Sequence, residues 1–142
     1  MIDALIARLN SEVPALHHRA SGVLSFTELM NSKRLPQNAN AYVCPNGIKG
    51  GKAQDGTGVF SQELAESYSV VLVASSQDKA GRKALAEASP LIKAVIGAVA
   101  GWAPEQGPGV FQVGGGRLLG FKEGRMFYEL VFSINTQLRI AQ

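Results

Sequence analysis

The stretch Asn46 to Gly58, NGIKGGKAQDGTG, comes closest to a recognisable chemistry. Successive backbone N–H groups with a nearby lysine can cradle a phosphate. The spacing fails that test, because Lys52 lacks the four-residue spacer before it and the Ser/Thr after it that would hold Mg²⁺, and no helical pattern follows. Gly114-Gly-Gly-Arg-Leu-Leu-Gly120 likewise precedes a strand pattern, whereas a dinucleotide fingerprint opens a helix. His17 and His18 offer a general base, but adjacent residues in an extended segment point to opposite sides and no partner acid is indicated. Cys44, the single cysteine, precedes Pro45 and reads as a small buried hydrophobe. It has no partner for an intramolecular disulfide, and with two histidines there is no zinc spacing. The serines form no GxSxG elbow, and Glu63 and Glu66 read as solvated charges. No catalytic residues, metal site or cofactor are expected.

Charge is more informative. No acidic residue lies between Glu28 and Asp55, while Lys33, Arg34, Lys49 and Lys52 all fall there, so this side of the molecule is expected to be locally basic. Over the whole chain, 14 basic and 11 acidic residues leave +3, which permits contact with an anionic surface without demanding it.

The elements that position these groups follow from periodicity. Ile2, Leu5, Ile6 and Leu9 mark an amphipathic helix that Pro14 ends, with Ala15–Arg19 extended after it. Ser25-Phe-Thr-Glu28 has the form of a capping box opening a second short helix. PQNAN from Pro36 reads as loop, and Ala41–Pro45 as a short strand pairing antiparallel with a long strand in 59–74. The glycine-rich residues 46–58 then become the flexible tip of a long hairpin. A polar turn from Ser76 leads to a central helix whose apolar face includes Ala84, Leu85, Ala88, Leu91, Ile92, Val95, Ile96 and Val99. Pro90 either kinks that helix or starts it with Ser89 as N-cap. Gly101-Trp-Ala-Pro104 ends it, and Glu105–Gly109 is loop. Val110–Val113 is a strand, and Arg117–Lys122 and Arg125–Arg139 form a hairpin turning at Glu123-Gly124. In its second strand Phe127 and Val131 lie opposite Met126, Tyr128 and Phe132, so that strand is central or covered by a neighbouring subunit.

Length and composition agree with this. The 142 residues, 46% apolar and 18% charged, suit one domain spanning 1–142. The expected class is α+β: an antiparallel-rich mixed sheet with helices on one face. The N-terminus lacks the pattern of a secretory signal, and the weakly charged run Ala94–Trp102 falls far short of the roughly 20 apolar residues of a membrane span. Folding in a reducing cytoplasm is the expectation.

Across nearly its whole length the chain resembles the tail terminator (tail completion) proteins of long-tailed bacteriophages and Mu-like prophages. The resemblance rests on MIDALIARLNSEVPAL at the start, Tyr68-Ser-Val-Val-Leu-Val-Ala, a long helix closed by Gly101-Trp-Ala-Pro104, Gly115-Gly-Arg-Leu-Leu, and Phe132-Ser-Ile-Asn. It implies a structural, non-enzymatic virion protein of the tail and neck, assembled in the host cytoplasm. It further implies a homohexameric ring that caps the head-proximal end of the tail tube, stops polymerisation and offers a docking surface to the head-neck connector. The implied partners are the major tail tube protein, the connector or stopper protein, the tape measure protein or a sheath, and genomic DNA passing non-specifically through the lumen. On this reading Lys49, Lys52, Arg117, Lys122 and Arg125 face the tube or lumen, and Phe127 and Val131 lie in the lateral interface or the core. Two other readings stand beside it: a different neck or head-tail joining adaptor, and a small nucleic-acid-binding module using the basic segment.

Overall fold

Burying one stripe of an amphipathic helix is the simplest commitment in this chain, and α1 makes it over Ile2–Glu12, with Leu5 and Leu9 fully buried and Asp3, Ala7 and Ser11 exposed. The computed structural model describes residues 1–31, 38–56, 58–75, 82–104 and 109–141, and in the helix from Arg82 the side chains of residue 86 and of 88 onward. Lys33, Arg34, the first two residues of the loop expected over 36–40, the turn 76–81 and most of the loop 105–109 lie outside the described residues, as do the side chains of Ala84 and Leu85, and Asn40 of that expected loop opens a strand.

Residues 15–19 form a turn, where an extended segment was expected. Pro14–Leu16 is a 3-10 turn, and His17 and His18 both take left-handed backbone angles (φ 47° and 61°). The His17 N–H donates to the Pro14 carbonyl at 2.9 Å, so the proline that ends α1 also starts the reversal. The reversal delivers β1, Ala20–Ser21, whose two residues are too few to show a periodicity.

α2 covers Val23–Asn31 and starts before the expected capping box. The Phe26 N–H donates to the Gly22 carbonyl and the Thr27 hydroxyl to the Val23 carbonyl, which places Ser25 inside the first turn. The remaining elements are β2 (Asn40–Gly56), β3 (Val59–Ser75), α3 (Arg82–Val99), β4 (Phe111–Lys122) and β5 (Arg125–Ala141). α3 runs through Pro90, which is exposed, so the helix does not begin there.

The strands form one sheet in the order β1-β2-β3-β5-β4, with β1 parallel to β2 and every other pair antiparallel. The α+β class and the long hairpin are as expected, and β5 lies inside the sheet, with Leu130, Phe132 and Ile134 in the main core and Phe127 in a second cluster with α2. Two expected strands, 110–113 and 117–122, are one: β4 stays paired with β5 across irregularities at Val113/Gly115 and Leu118/Gly120. Residues 46–56 belong to β2, where a tip loop was expected, and β3 begins at Val59. The glycines serve close approach there, since a Cβ on Gly50 would meet the Gln62 amide at 2.8 Å and one on Gly51 the Glu63 Cβ at 3.2 Å. Small residues let β2 bulge between Gly50 and Ala53 without losing β3.

The main core joins α1 and α3 to one face of the sheet through Val43, Val70, Leu72, Phe111, Leu130, Phe132 and Ile134. α2 departs from the expected single helical face. Leu29 and Phe26 pack on Tyr42, Val71, Val73 and Phe127, and alternation puts these residues on the side opposite Ala41, Val43, Val70 and Leu72. Each face of β2 and β3 is apolar at this end, so each requires a cover.

Candidate assembly surfaces

The Gly101-Trp-Ala-Pro104 segment is a structural lock. Gly101 takes the left-handed conformation (φ 78°) that ends α3, its N–H donates to the Phe111 carbonyl at 2.8 Å, and the Phe111 N–H donates to the Trp102 carbonyl at 3.0 Å. The Trp102 ring stacks on Phe111 (centroids 5.8 Å apart, 15° between planes), and the Arg8 guanidinium lies 5.3 Å from the Trp102 ring. Arg8 also donates from Nε to the Ala98 carbonyl at 2.8 Å and pairs with Glu12 at 3.4 Å. One junction thus ties α1, the end of α3 and the start of β4 together.

From this frame three strands extend past the helices. No residue of β2 after Val43, of β3 before Ser69 or of β5 after Ile134 is buried. Residues 59–66 of β3 run about 25 Å at the usual rise, flanked by β2 and β5 throughout. This wing has two unlike faces. In register with the helix-covered side lie Phe60, Leu64, Leu138, Ile140 and Ile48, the last 68% exposed, interspersed with Asp55, Gln62, Glu66 and Thr136. The other face carries Lys49, Gln54, Ser61, Glu63, Ser67, Ser133, Asn135, Gln137 and Arg139.

The polar face continues across the sheet. The Ser69 hydroxyl donates to Glu129 Oε2 at 3.0 Å, and Arg117 Nε donates to Glu129 Oε1 at 3.1 Å from a side chain that is itself 73% exposed. Cys44 is the register partner of Ser69 on this face. Burial, and then the Glu129 charge, push its thiol pKa up, so it is held as the unreactive thiol.

The cationic residues singled out in the sequence fall into separate groups. Lys49 and Lys52 are exposed on the wing, with Lys52 in the bulge between Gly50 and Ala53. Lys122 and Arg125 are register partners at the opposite end, beside the β4–β5 turn. Along β5 the Lys49 row, at Asn135, is about 33 Å from Arg125, and Arg117 lies between. No single basic patch collects them. Phe127 is 8% exposed in the α2 cluster, which makes it core within the subunit, whereas Val131 is half-buried opposite Gly115 on the polar face. The apolar stripe of the wing is the surface that sequence reading missed. Its signal was present in the alternation Ile134, Thr136, Leu138, Ile140, which continues to the end of the strand.

Three clefts are lined by the described residues, and in one of about 460 Å³ beside Pro45 and Ile48 the Tyr68 hydroxyl already donates to Glu66. One of about 790 Å³ lies between α1 and Trp102, where Arg8 already has its partners. Another of about 280 Å³ lies between α2 and β4, lined by Phe26, Met30, Leu119, Phe121 and Phe127. Among the described residues no three His, Cys, Asp or Glu side chains cluster as metal ligands, and no helix is long and apolar enough to cross a membrane.

Burial, and then the hydrogen bond and charge of Glu66 (3.1 Å), push the Tyr68 hydroxyl up to about 12, and burial also raises Tyr42. Tyr68, Tyr42 and Cys44 each hold their proton more tightly folded than unfolded. Their contribution is therefore complete at neutral pH and is lost as pH climbs from the ordinary cysteine and tyrosine range towards the Tyr68 value. Urea unfolding measured from neutral to strongly alkaline pH is expected to show stability falling across that window, with Tyr68→Phe flattening its upper part. Stability rising there would contradict the assignment.

The chain's residues 2–142 match the family model described as "Phage tail terminator protein". No curated protein matches. Among solved structures, a chain of the "Virion of native gene transfer agent (GTA) particle" aligns with a TM-score of 0.57 at 16% identity, over 97% of this chain and 95% of that one. At that identity the likeness speaks to the fold.

Proposed function

Because the chain belongs to the phage tail terminator family, and is thereby a structural protein of the virion tail, we propose that it ends the tail tube as a closed hexameric ring. The ring sits on the head-proximal end of the tube, stops addition of further tube subunits and offers its other axial surface to the head-neck connector. It performs no catalysis. Its partners are its own copies, the major tail tube protein and the connector or stopper protein, with the tape measure protein or a sheath reaching the same end.

The observation that carries this reading is the wing, an amphipathic ribbon of three strands held out beyond the helices by a rigid junction at Trp102. A lone subunit leaves its apolar stripe in water, which is the signature of a surface completed by another protein. A ring needs one heterologous lateral contact repeated until it closes, and a terminator also needs two unlike axial surfaces. The wing at one end and the Lys122/Arg125 turn at the other are two unlike ends. The broad polar face of serine, glutamine, asparagine, Lys49, Arg117 and Arg139, with Glu63 and Glu129 among them, suits a lumen through which DNA must slide, because weak contacts to phosphate hold without reading sequence.

The test is to add purified protein to polymerising tail tubes and image them by electron microscopy. Growth halted by a six-fold cap at one end is the expected result. Uncapped tubes, with the protein bound to portal-bearing heads, would replace this reading with a neck adaptor.

A further inference from the structure

We infer that the ring closes by strand pairing: the outer edge of β4 in one subunit pairs antiparallel with the outer edge of the distal half of β2 in the next, making the six sheets one continuous barrel. This rests on the ring reading above and assigns the lateral contact to two specific backbone edges.

Both edges lack a partner within the described subunit. β1 covers β2 only at Ala41 and Tyr42, which leaves β2 open from Val43 to Gly56. β4 is the last strand on the other side and is open from Gln112 to Lys122, the backbone groups of Phe111 being taken by Gly101 and Trp102. A long exposed edge offers a row of N–H and C=O groups and is normally blunted by proline or charge, or covered. Charge blunts both edges only in part, through Lys49, Lys52 and Asp55 in β2 and Arg117 and Lys122 in β4, and neither carries a proline where the copies meet. β4 contains no proline and exposes Val113, Leu118, Leu119 and Phe121 beside the edge, and in β2 the one proline, Pro45, comes before the distal half begins. Edges blunted only in part remain open to pairing with another copy of the chain.

Strand direction fits. β2 and β5 run one way, and β3 and β4 the other. A rotation about a ring axis that carries one sheet onto the next, with the helix-bearing face kept on the same side, therefore sets β4 beside the following β2 in antiparallel sense. That is the pairing with the closely matched ladder.

The offset between the edges fits as well. The middle of β4, Gly116, is level with Leu130 of β5. The middle of the open part of β2, Gly50, is level through Leu64 with Thr136 of β5. The step from Leu130 to Thr136 is about 20 Å along the strand, and crossing from β2 through β3, β5 and β4 to the next β2 is about 19 Å across the sheet. Meeting edge to edge therefore requires strands tilted by about 45° to the ring axis, the upper end of the tilt that closed barrels adopt. A flat stack of untilted sheets would miss, with β4 facing β1 and the covered end of β2. The irregularities at Pro45/Gly47, Gly50/Ala53, Val113/Gly115 and Leu118/Gly120 all lie on these two strands, where bending helps a sheet to close.

The experiment uses the full chain in a Cys44→Ser background, with one cysteine in each edge: Ile48→Cys or Lys52→Cys in β2, combined with Val113→Cys or Arg117→Cys in β4. All four positions are exposed, so circular dichroism of the free protein should match wild type. Caps assembled on tail tubes are then oxidised, or treated with a short bis-maleimide, and run on denaturing gels. At least one pairing is expected to give a covalent ladder ending at the hexamer, while each single-cysteine parent stays monomeric. In parallel, amide exchange in 47–56 and 111–122 should slow by on the order of a hundredfold in the cap relative to the free subunit. Six-fold caps that form with no ladder from any pairing and no slowing at both edges would overturn the strand pairing and leave the ring standing. Absence of caps from the Cys44→Ser protein and the wild type alike would remove the ring reading, and this inference with it.

Discussion

Phe111→Ala is expected to lower the melting temperature by roughly 10–20 °C and to cost about 3–5 kcal/mol. The side chain is 1% exposed, stacks on Trp102 at 5.8 Å and meets the Tyr68 ring edge-on at 6.1 Å. Its own backbone carries both hydrogen bonds that hold the end of α3 to the start of β4. The cavity left would open under Trp102, whose ring is also held by the Arg8 guanidinium, which limits its collapse into the space. Against a total stability of about 5–15 kcal/mol for a domain, this is a large fraction. Val113→Ala, two residues along the same strand but 44% exposed, is the control and should stay within about 0.5 kcal/mol of wild type. Thermal melts followed by circular dichroism decide it, and a shift of only a few degrees for Phe111→Ala would mean that this junction is not the keystone described.

The double variant Ile48→Asp/Ile140→Asp should do the reverse, leaving the subunit folded and abolishing capping. Both side chains sit on the apolar stripe of the wing, 68% and 46% exposed, so the free subunit has little packing to lose. Asp in a strand costs up to about 1 kcal/mol from propensity at each position. In an assembly that covers the stripe, each isoleucine buried contributes about 1.5–3 kcal/mol, and a carboxylate in its place adds a desolvation penalty. Losing even the lower figure at every contact lowers affinity by roughly tenfold or more per site. Tube polymerisation with this variant is expected to give tubes of unrestricted length, with the free protein still melting cooperatively. Normal capping would show that the stripe faces solvent in the virion and that assembly uses other surfaces.

Much of this protein is determined by residue order alone. The helical stripe of Leu5 and Leu9, the β-branched run Val70–Val73, the Gly101-Trp-Ala-Pro104 stop and the period of two through Met126–Asn135 depend on neighbours in sequence, and their elements lie where the periodicity puts them. The family resemblance is carried by the same local segments, and the family match spans the same chain.

What only the tertiary structure decided is where backbone groups find partners at long range. Glycine-rich residues 46–56 look like a loop because glycine has no strand preference of its own. They are strand because β3 and, beyond it, β5 supply a template on which a bulged, side-chain-poor strand can lie. β1 and the face on which α2 packs are of the same kind. Two residues acquire strand geometry only by lying beside Ala41 and Tyr42, and α2 goes to the second face because alternation leaves Val71, Val73 and Phe127 uncovered there. The separation of Lys49 and Lys52 from Lys122 and Arg125 likewise follows from register, since strand pairing, and not composition, sets how far apart two charges stand.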